Sequence, residues 1–251
     1  AFYIEGCAPT IHSCIARSNG NATASLPAPN AESHQLSDGG AGFYLSYSGS
    51  EIRDCEASNN SAVDGSGVYV YRGSPTLRNM VVSENYAEHY GGGVMLFETQ
   101  CHLMSSEISR NYALKDAGGL NIHKGNPTIG PDIQVVGNTA GDDGGGIRMW
   151  WTHAELTAVT IDSNQCLDSG GGVYVYEGAP LMVDCTLLRN RAQIDGGAFY
   201  LDSTLATAVR FYIQDNVAAG RGGAALVRFG DPSLRDGEMK GNIARQGGGV
   251  T

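Results

Sequence analysis

No stretch of about 18 apolar residues occurs, so no helix of this chain is expected to cross a bilayer. The first residues, AFYIEGCAPTIHSC, lack the charged, apolar and cleavage regions of a signal peptide. Basic residues are scarce, 16 against 26 acidic, and the net charge of −10 argues against nucleic acid, whose phosphates need a basic surface, and against anionic membranes. No CxxC pair and no Cys/His cluster supports a metal site. A sustained 3.6-residue apolar period is also missing, and Gly-Gly pairs recur too often for helix interiors.

What is present is a repeat. Asn164 to Val175 reads NQCLDSGGGVYV, and Asn85 to Leu96 (NYAEHYGGGVML) and Asn138 to Met149 (NTAGDDGGGIRM) share its layout. From Asn85 onward the asparagines stand at 85, 111, 138, 164, 190, 216 and 242, a spacing of 26 with a single 27. A constant period of this size means a repeat architecture. Within each unit, two short alternating runs bounded by glycine and asparagine, such as Leu77, Met80, Val82 and then Val94, Leu96, read as strands.

Residues at fixed offsets from the asparagine test the stacking. Nine positions after it stand Val94, Leu120, Ile147, Val173, Phe199 and Ala225; eleven after it, Leu96, Ile122, Met149, Val175, Leu201 and Val227. Three before it stand Val82, Ile108, Val135, Ile161, Leu187, Ile213 and Met239. All three columns are apolar and are expected to point inward. The asparagines form a column of their own, whose amides can hydrogen-bond from rung to rung. The expected fold is all-β, a right-handed parallel β-helix of about nine coils of 26 residues. At roughly 4.8 Å per rung it makes a rod on the order of 40 Å long.

The apolar-x-x-Asn signature (Ile108 to Asn111, Ile161 to Asn164, Leu187 to Asn190, Ile213 to Asn216) paired with Gly-Gly-small-apolar (Gly196 to Phe199) resembles the β-helix repeats of polymorphic outer membrane proteins and related autotransporter passengers. Similar repeats occur in large surface proteins of algae and protists. The resemblance implies an extracellular or cell-surface location. Residues 1–251 then form one β-helix segment of a longer protein, its partners being other segments of that protein, filament neighbours or glycans, with no cofactor.

A detour at 20–37, with Pro27 and Pro29, is a loop inserted at a corner. Asn21 and Asn59 fit the N-glycosylation sequon. Cys14 and Cys55 share one offset in consecutive coils, so either a disulfide or two buried thiols follows. Asp64, Asp116, Asp142, Asp143, Asp168 and Asp195 precede the glycines, where Asx-turn chemistry explains them singly and cation binding along the stripe is the alternative.

The outward columns carry Met95, Asn121, Arg148, Tyr174 and Tyr200, and Phe97, His123, Trp150 and Tyr176, with Tyr44, Tyr69 and Tyr71 in earlier coils. Cross-strand stacking explains such rings; so does a sugar- or protein-binding face, for which Tyr69, Tyr71, Phe97, Trp150, Tyr174 and Tyr176 are the candidates. Pectate lyases and polygalacturonases also use right-handed β-helices, but no coil here pairs a histidine with an acid on a strand, and Asp142–Asp143 stands at a turn. The expected role is therefore a non-catalytic structural and interaction module, with an adhesive or carbohydrate-binding passenger as the alternative and a polysaccharide enzyme after that. The repeat shows no polar cap at either end, so the segment expressed alone is expected to associate end to end. Light scattering checks this; a monomer over a wide concentration range would count against it.

Overall fold

The computed structural model describes residues 2–20 and 40–251. The expected insertion at 20–37 and the sequon at Asn21 lie almost wholly outside them. Among the described residues all regular structure is β, arranged as a parallel solenoid of four in-register sheets. Sheets A, B and C are nine-stranded and sheet D seven-stranded, so nine rungs are joined by about eight turns, close to the nine coils the sequence suggested.

One coil shows the construction. Val173–Gly178 lies in sheet A, Leu181–Val183 in B, Thr186–Leu188 in C and Arg191–Ala192 in D. Seven units among the described residues therefore have four strands, and the first and last have three, where two runs were expected. The difference comes from corners that carry no glycine. Asp184 and Arg189 have φ of 55° and 51°, and Asn79 does the same in an earlier coil. Each turns the chain between strands without leaving a sequence signal, so Leu77 and Val82 fall in separate strands.

The registers follow the asparagine offsets. Val94, Leu120, Ile147, Val173, Phe199 and Ala225 pair in order along sheet A, and Ile108, Val135, Ile161, Leu187 and Ile213 along sheet C. These side chains fill one continuous core. Ile161, Val173 and Val175 have no solvent exposure, whereas Tyr174 and Tyr176 sit half-buried on the outside.

The asparagine column is a hydrogen-bonded ladder. Each Nδ2 donates to the Oδ1 of the next coil, at 2.9–3.0 Å from Asn19 to Asn242. Asn164 makes the full set: Oδ1 accepts from the Asn138 backbone N–H and side chain, while Nδ2 donates to Asn190 Oδ1 and to the Val135 carbonyl. The glycines that follow are steric requirements. A Cβ on Gly145 would lie 2.5 Å from the carbonyl oxygens of Gln165 and Gly171, and Gly144 has φ of 68°.

Cys14 and Cys55 stack as expected, the Cys14 N–H donating to Cys55 Sγ at 3.3 Å, but both carry free thiols rather than a disulfide. Asn59 is exposed at a positive-φ corner, leaving its amide open to solvent.

Truncating one rung strands buried partners on both sides, so Asn164→Ala is expected to destabilise by about 2 to 4 kcal/mol. The exposed neighbour Gln165→Ala should change stability by less than about 0.5 kcal/mol. Urea denaturation of the two variants checks this; equal effects would deny the ladder its role.

Candidate functional site

The outer face of sheet A holds the chain's concentration of aromatic and polar side chains. Its two columns pair as the sequence implied, Tyr69–Met95–Asn121–Arg148–Tyr174–Tyr200 and Tyr71–Phe97–His123–Trp150–Tyr176. The expected exposed ring surface is absent at two candidates, because Tyr69 and Phe97 are 6% and 9% exposed. Two causes combine. Rings in one column cover one another, as with Tyr174 on Tyr200 (centroids 5.0 Å apart) and His123 on Trp150 (5.1 Å). The turn before each sheet A strand also lies against the column: a Cβ on Gly65 would be 2.7 Å from Met95 Cβ, and one on Gly144 would be 2.9 Å from Arg148 Cβ.

Those turns place carboxylates beside the face. Asp64 accepts the Tyr90 N–H, Asp116 the Asp143 N–H and Asp143 the Ser169 N–H, each at 3.0 Å, and Asp195 the Arg221 N–H at 2.7 Å. These bonds run from coil to coil, so the aspartates cap the next rung rather than closing the Asx turns expected of them. Burial pushes the Asp143 carboxyl up to about 7, with the neighbouring Asp116 adding to the rise. Asp116 is raised by burial too, and Arg148 opposes the shift. Among the described residues no group of three or more His, Cys, Asp and Glu is placed to hold a metal ion.

Arg148 is the exception in its column. It is only 7% exposed, yet its Nη1 reaches Asn121 Oδ1 at 3.4 Å and its Nε reaches Asp116 Oδ2 at 3.5 Å, both long for charged partners. Its Cζ lies 4.3 Å from the Trp150 ring centroid, a close cation–π contact. The exposed Arg210, by contrast, holds Asp184 with two bonds of 2.7 and 2.8 Å. Arg148 and Trp150 line a recess together with Tyr69, Met95, Phe97 and Asn121. Its enclosed space is about 20 Å³, enough for one water or one ligand oxygen. Asp143 does not line it.

Of the sequence candidates, Tyr69, Phe97 and Trp150 thus meet at one recess, and Tyr71 packs beside them. Tyr176 touches Trp150 edge-on at 5.9 Å, and Tyr174 stacks away on Tyr200. Sequence reasoning did not single out Arg148, Asn121 or Trp151 as site residues. Trp151, 44% exposed at a positive-φ corner, lies 5.3 Å from Trp150. The usable signal was a cation interrupting an aromatic column.

The model of a family described as "Right handed beta helix region" matches residues 1–159. No curated protein and no solved structure matches the chain.

An acid raised in the folded chain keeps a proton that the unfolded chain has lost. Its stabilising share is present below the usual value of 3.8 and is withdrawn as pH rises toward about 7. Asp143→Asn retains the acceptor for Ser169 and removes the charge. Above pH 7 the variant is expected to exceed wild type by about 1 to 3 kcal/mol, with the gap closing toward pH 4. Thermal unfolding across that range checks it, and parallel pH profiles for the two proteins would refute it.

Proposed function

The chain belongs to the right-handed β-helix family, and from that premise we propose that it is a non-catalytic structural and interaction module, a rigid rod within a larger extracellular or cell-surface protein. The observation that supports this reading is uniformity. Coil after coil repeats the same asparagine, glycine and core contacts, and the aspartates nearest the open face spend an oxygen on the next rung's N–H. A hydrolase or lyase needs acid and base groups converging on a space that a substrate enters. Asp143, the carboxyl best tuned for proton transfer near neutrality, stands outside the recess. The surface location rests on the likeness to passenger repeats.

A second reading, adhesion to glycans, is favoured by one observation. Trp150, Trp151 and Tyr176 form a partly exposed ring cluster toward the C-terminal ends of two interior sheet A strands, with Lys124 5.8 Å from the Trp151 ring. Rings with a free edge or face suit sugars, and a cation nearby adds polar contact.

The module reading expects no depolymerisation of acidic or neutral polysaccharides. Such an activity, lost on Asp143→Ala, would replace it with the enzyme reading. Binding on a glycan array that falls at least about tenfold on Trp150→Ala or Trp151→Ala, a loss of about 1.4 kcal/mol, would select adhesion over a purely structural role.

A further inference from the structure

The geometry points to a cross-linking site between the first two described coils: Cys14 and Cys55 form a dithiol that a disulfide oxidant closes into one covalent bond, stapling one rung to the next. This staple is independent of whatever the module binds.

Three features support it, and the first is position. His12 pairs with Arg53 and Ile15 with Glu56 on either side of the cysteines, so Cys14 stands directly over Cys55 at the corner between sheets B and C. Rungs lie roughly 4.8 Å apart, inside the Cα separation of about 4.4 to 6.8 Å that a disulfide spans. The Cys55 sulfur leans toward the first coil: it accepts the Cys14 N–H at 3.3 Å, lies 3.9 Å from the Ile11 carbonyl oxygen, and has the Cys14 thiol as a hydrogen-bonding neighbour. Among the described residues no other two cysteines share a register. Cys166 lies between Ala140 and Ala192, Cys101 between Pro75 and Pro127, and Cys185 between Val159 and Phe211.

Second, access is graded. Cys14 is half-buried and Cys55 buried, so an oxidant meets Cys14 first. The Cys14 thiolate attacks one sulfur of a small-molecule or protein disulfide, a mixed disulfide forms, and one thiolate leaves. The Cys55 thiolate then attacks the Cys14 sulfur, the Cys14–Cys55 bond forms, and the second thiolate leaves. The two cysteines give up two electrons and two protons, and the oxidant is reduced to two thiols. Third, the bond falls where the chain itself ties neighbouring rungs least. Consecutive ladder asparagines are 25 to 27 positions apart from Asn60 onward, whereas 41 positions separate Asn19 from Asn60 and Cys14 from Cys55. A longer connection costs more entropy to close, and a cross-link removes that cost from the open state. In the first coil Phe2, Ile11 and Cys14 are only partly buried, yet its departure uncovers Phe43, Leu45 and Ile52, which have no solvent exposure.

The test uses the intact chain carrying Cys7→Ser, which removes the exposed competing thiol, equilibrated with excess glutathione disulfide in mildly alkaline buffer or kept reduced. Alkylation in denaturant followed by peptide mapping is expected to find one Cys14–Cys55 bond per chain after oxidation and two alkylated thiols at these positions in the reduced sample. Hydrogen–deuterium exchange of the amides in 2–17 should slow at least about tenfold on oxidation, while the coils beyond 159 stay unchanged. Cys14→Ser, a like-sized change at a half-buried site, should exchange as the reduced protein does and ignore the oxidant. Cys14 and Cys55 both still alkylated after oxidation, either of them bonded to a different cysteine, or a Cys14–Cys55 bond that leaves exchange in 2–17 unaltered overturns the inference. Loss of polysaccharide or glycan binding bears on the module's function alone and leaves the staple untouched.

Discussion

The asparagine ladder is the constraint on which this fold depends. A parallel stack with short strands in each sheet has little intrinsic register, because sliding a coil by two residues restores an inward pattern. The buried amide removes that freedom. Its donors and acceptors are all used only when each asparagine sits directly over the next, as Asn138, Asn164 and Asn190 do. A slipped coil leaves four polar groups in the interior, and each unsatisfied group costs about 1 to 3 kcal/mol. Departures from the period are therefore absorbed elsewhere. The extra residue of the 27-residue coil falls at the Gly130–Pro131 corner between sheets B and C. The missing residue between Asn60 and Asn85 falls in the turn after sheet D, where Asp64 occupies the place of Tyr90. Either way the ladder stays closed, at 3.0 Å from Asn60 to Asn85 and from Asn111 to Asn138.

The same geometry decides what the outer face can do. Rungs lie roughly 4.8 Å apart, close to the distance at which aromatic rings stack. A column of like rings consequently closes on itself, as Tyr3, Tyr44 and Tyr69 do with centroids 5.0 and 5.4 Å apart. Such rings present edges rather than faces. An aromatic column on a β-helix is thus first a device for covering the sheet, and recognition is left to the ends of columns and to corners such as Trp151.

Much of this was legible in the sequence, because a solenoid converts a one-dimensional period into three-dimensional neighbours. Offsets from the asparagine identified which residues pair, from Val94 through Ala225 and from Phe97 through Tyr176. The corners at Asn79, Asp184 and Arg189 were hidden, since non-glycine residues there take positive φ without any distinguishing composition. The burial of Tyr69 and Phe97 was hidden as well, because it depends on how far a turn from the same coil leans over the strand, which no offset encodes. The recess has the same character. Its lining comes from several successive coils, and only side-chain packing shows that Arg148 and Trp150 enclose a space while Tyr174 turns to Tyr200.

Where a repeat departs from its own chemistry, the departure has to be explained locally. The outer column of sheet A runs through tyrosines and methionine, then breaks to Asn121 and Arg148 before returning to Tyr174 and Tyr200. A tyrosine at position 148 would continue the stacking on Tyr174. An arginine there loses hydration on burial, a penalty of several kcal/mol for an ion, and recovers part of it from a distant carboxylate, a long amide contact and the Trp150 ring. Its charge also has a structural use, since it offsets part of the cost of the buried Asp116 carboxyl, which an apolar or aromatic side chain of similar volume would leave without this counter-charge. In this rod the break occurs in the middle of the long-strand face, where a buried arginine and a buried carboxyl from the neighbouring coil take the place of stacked rings.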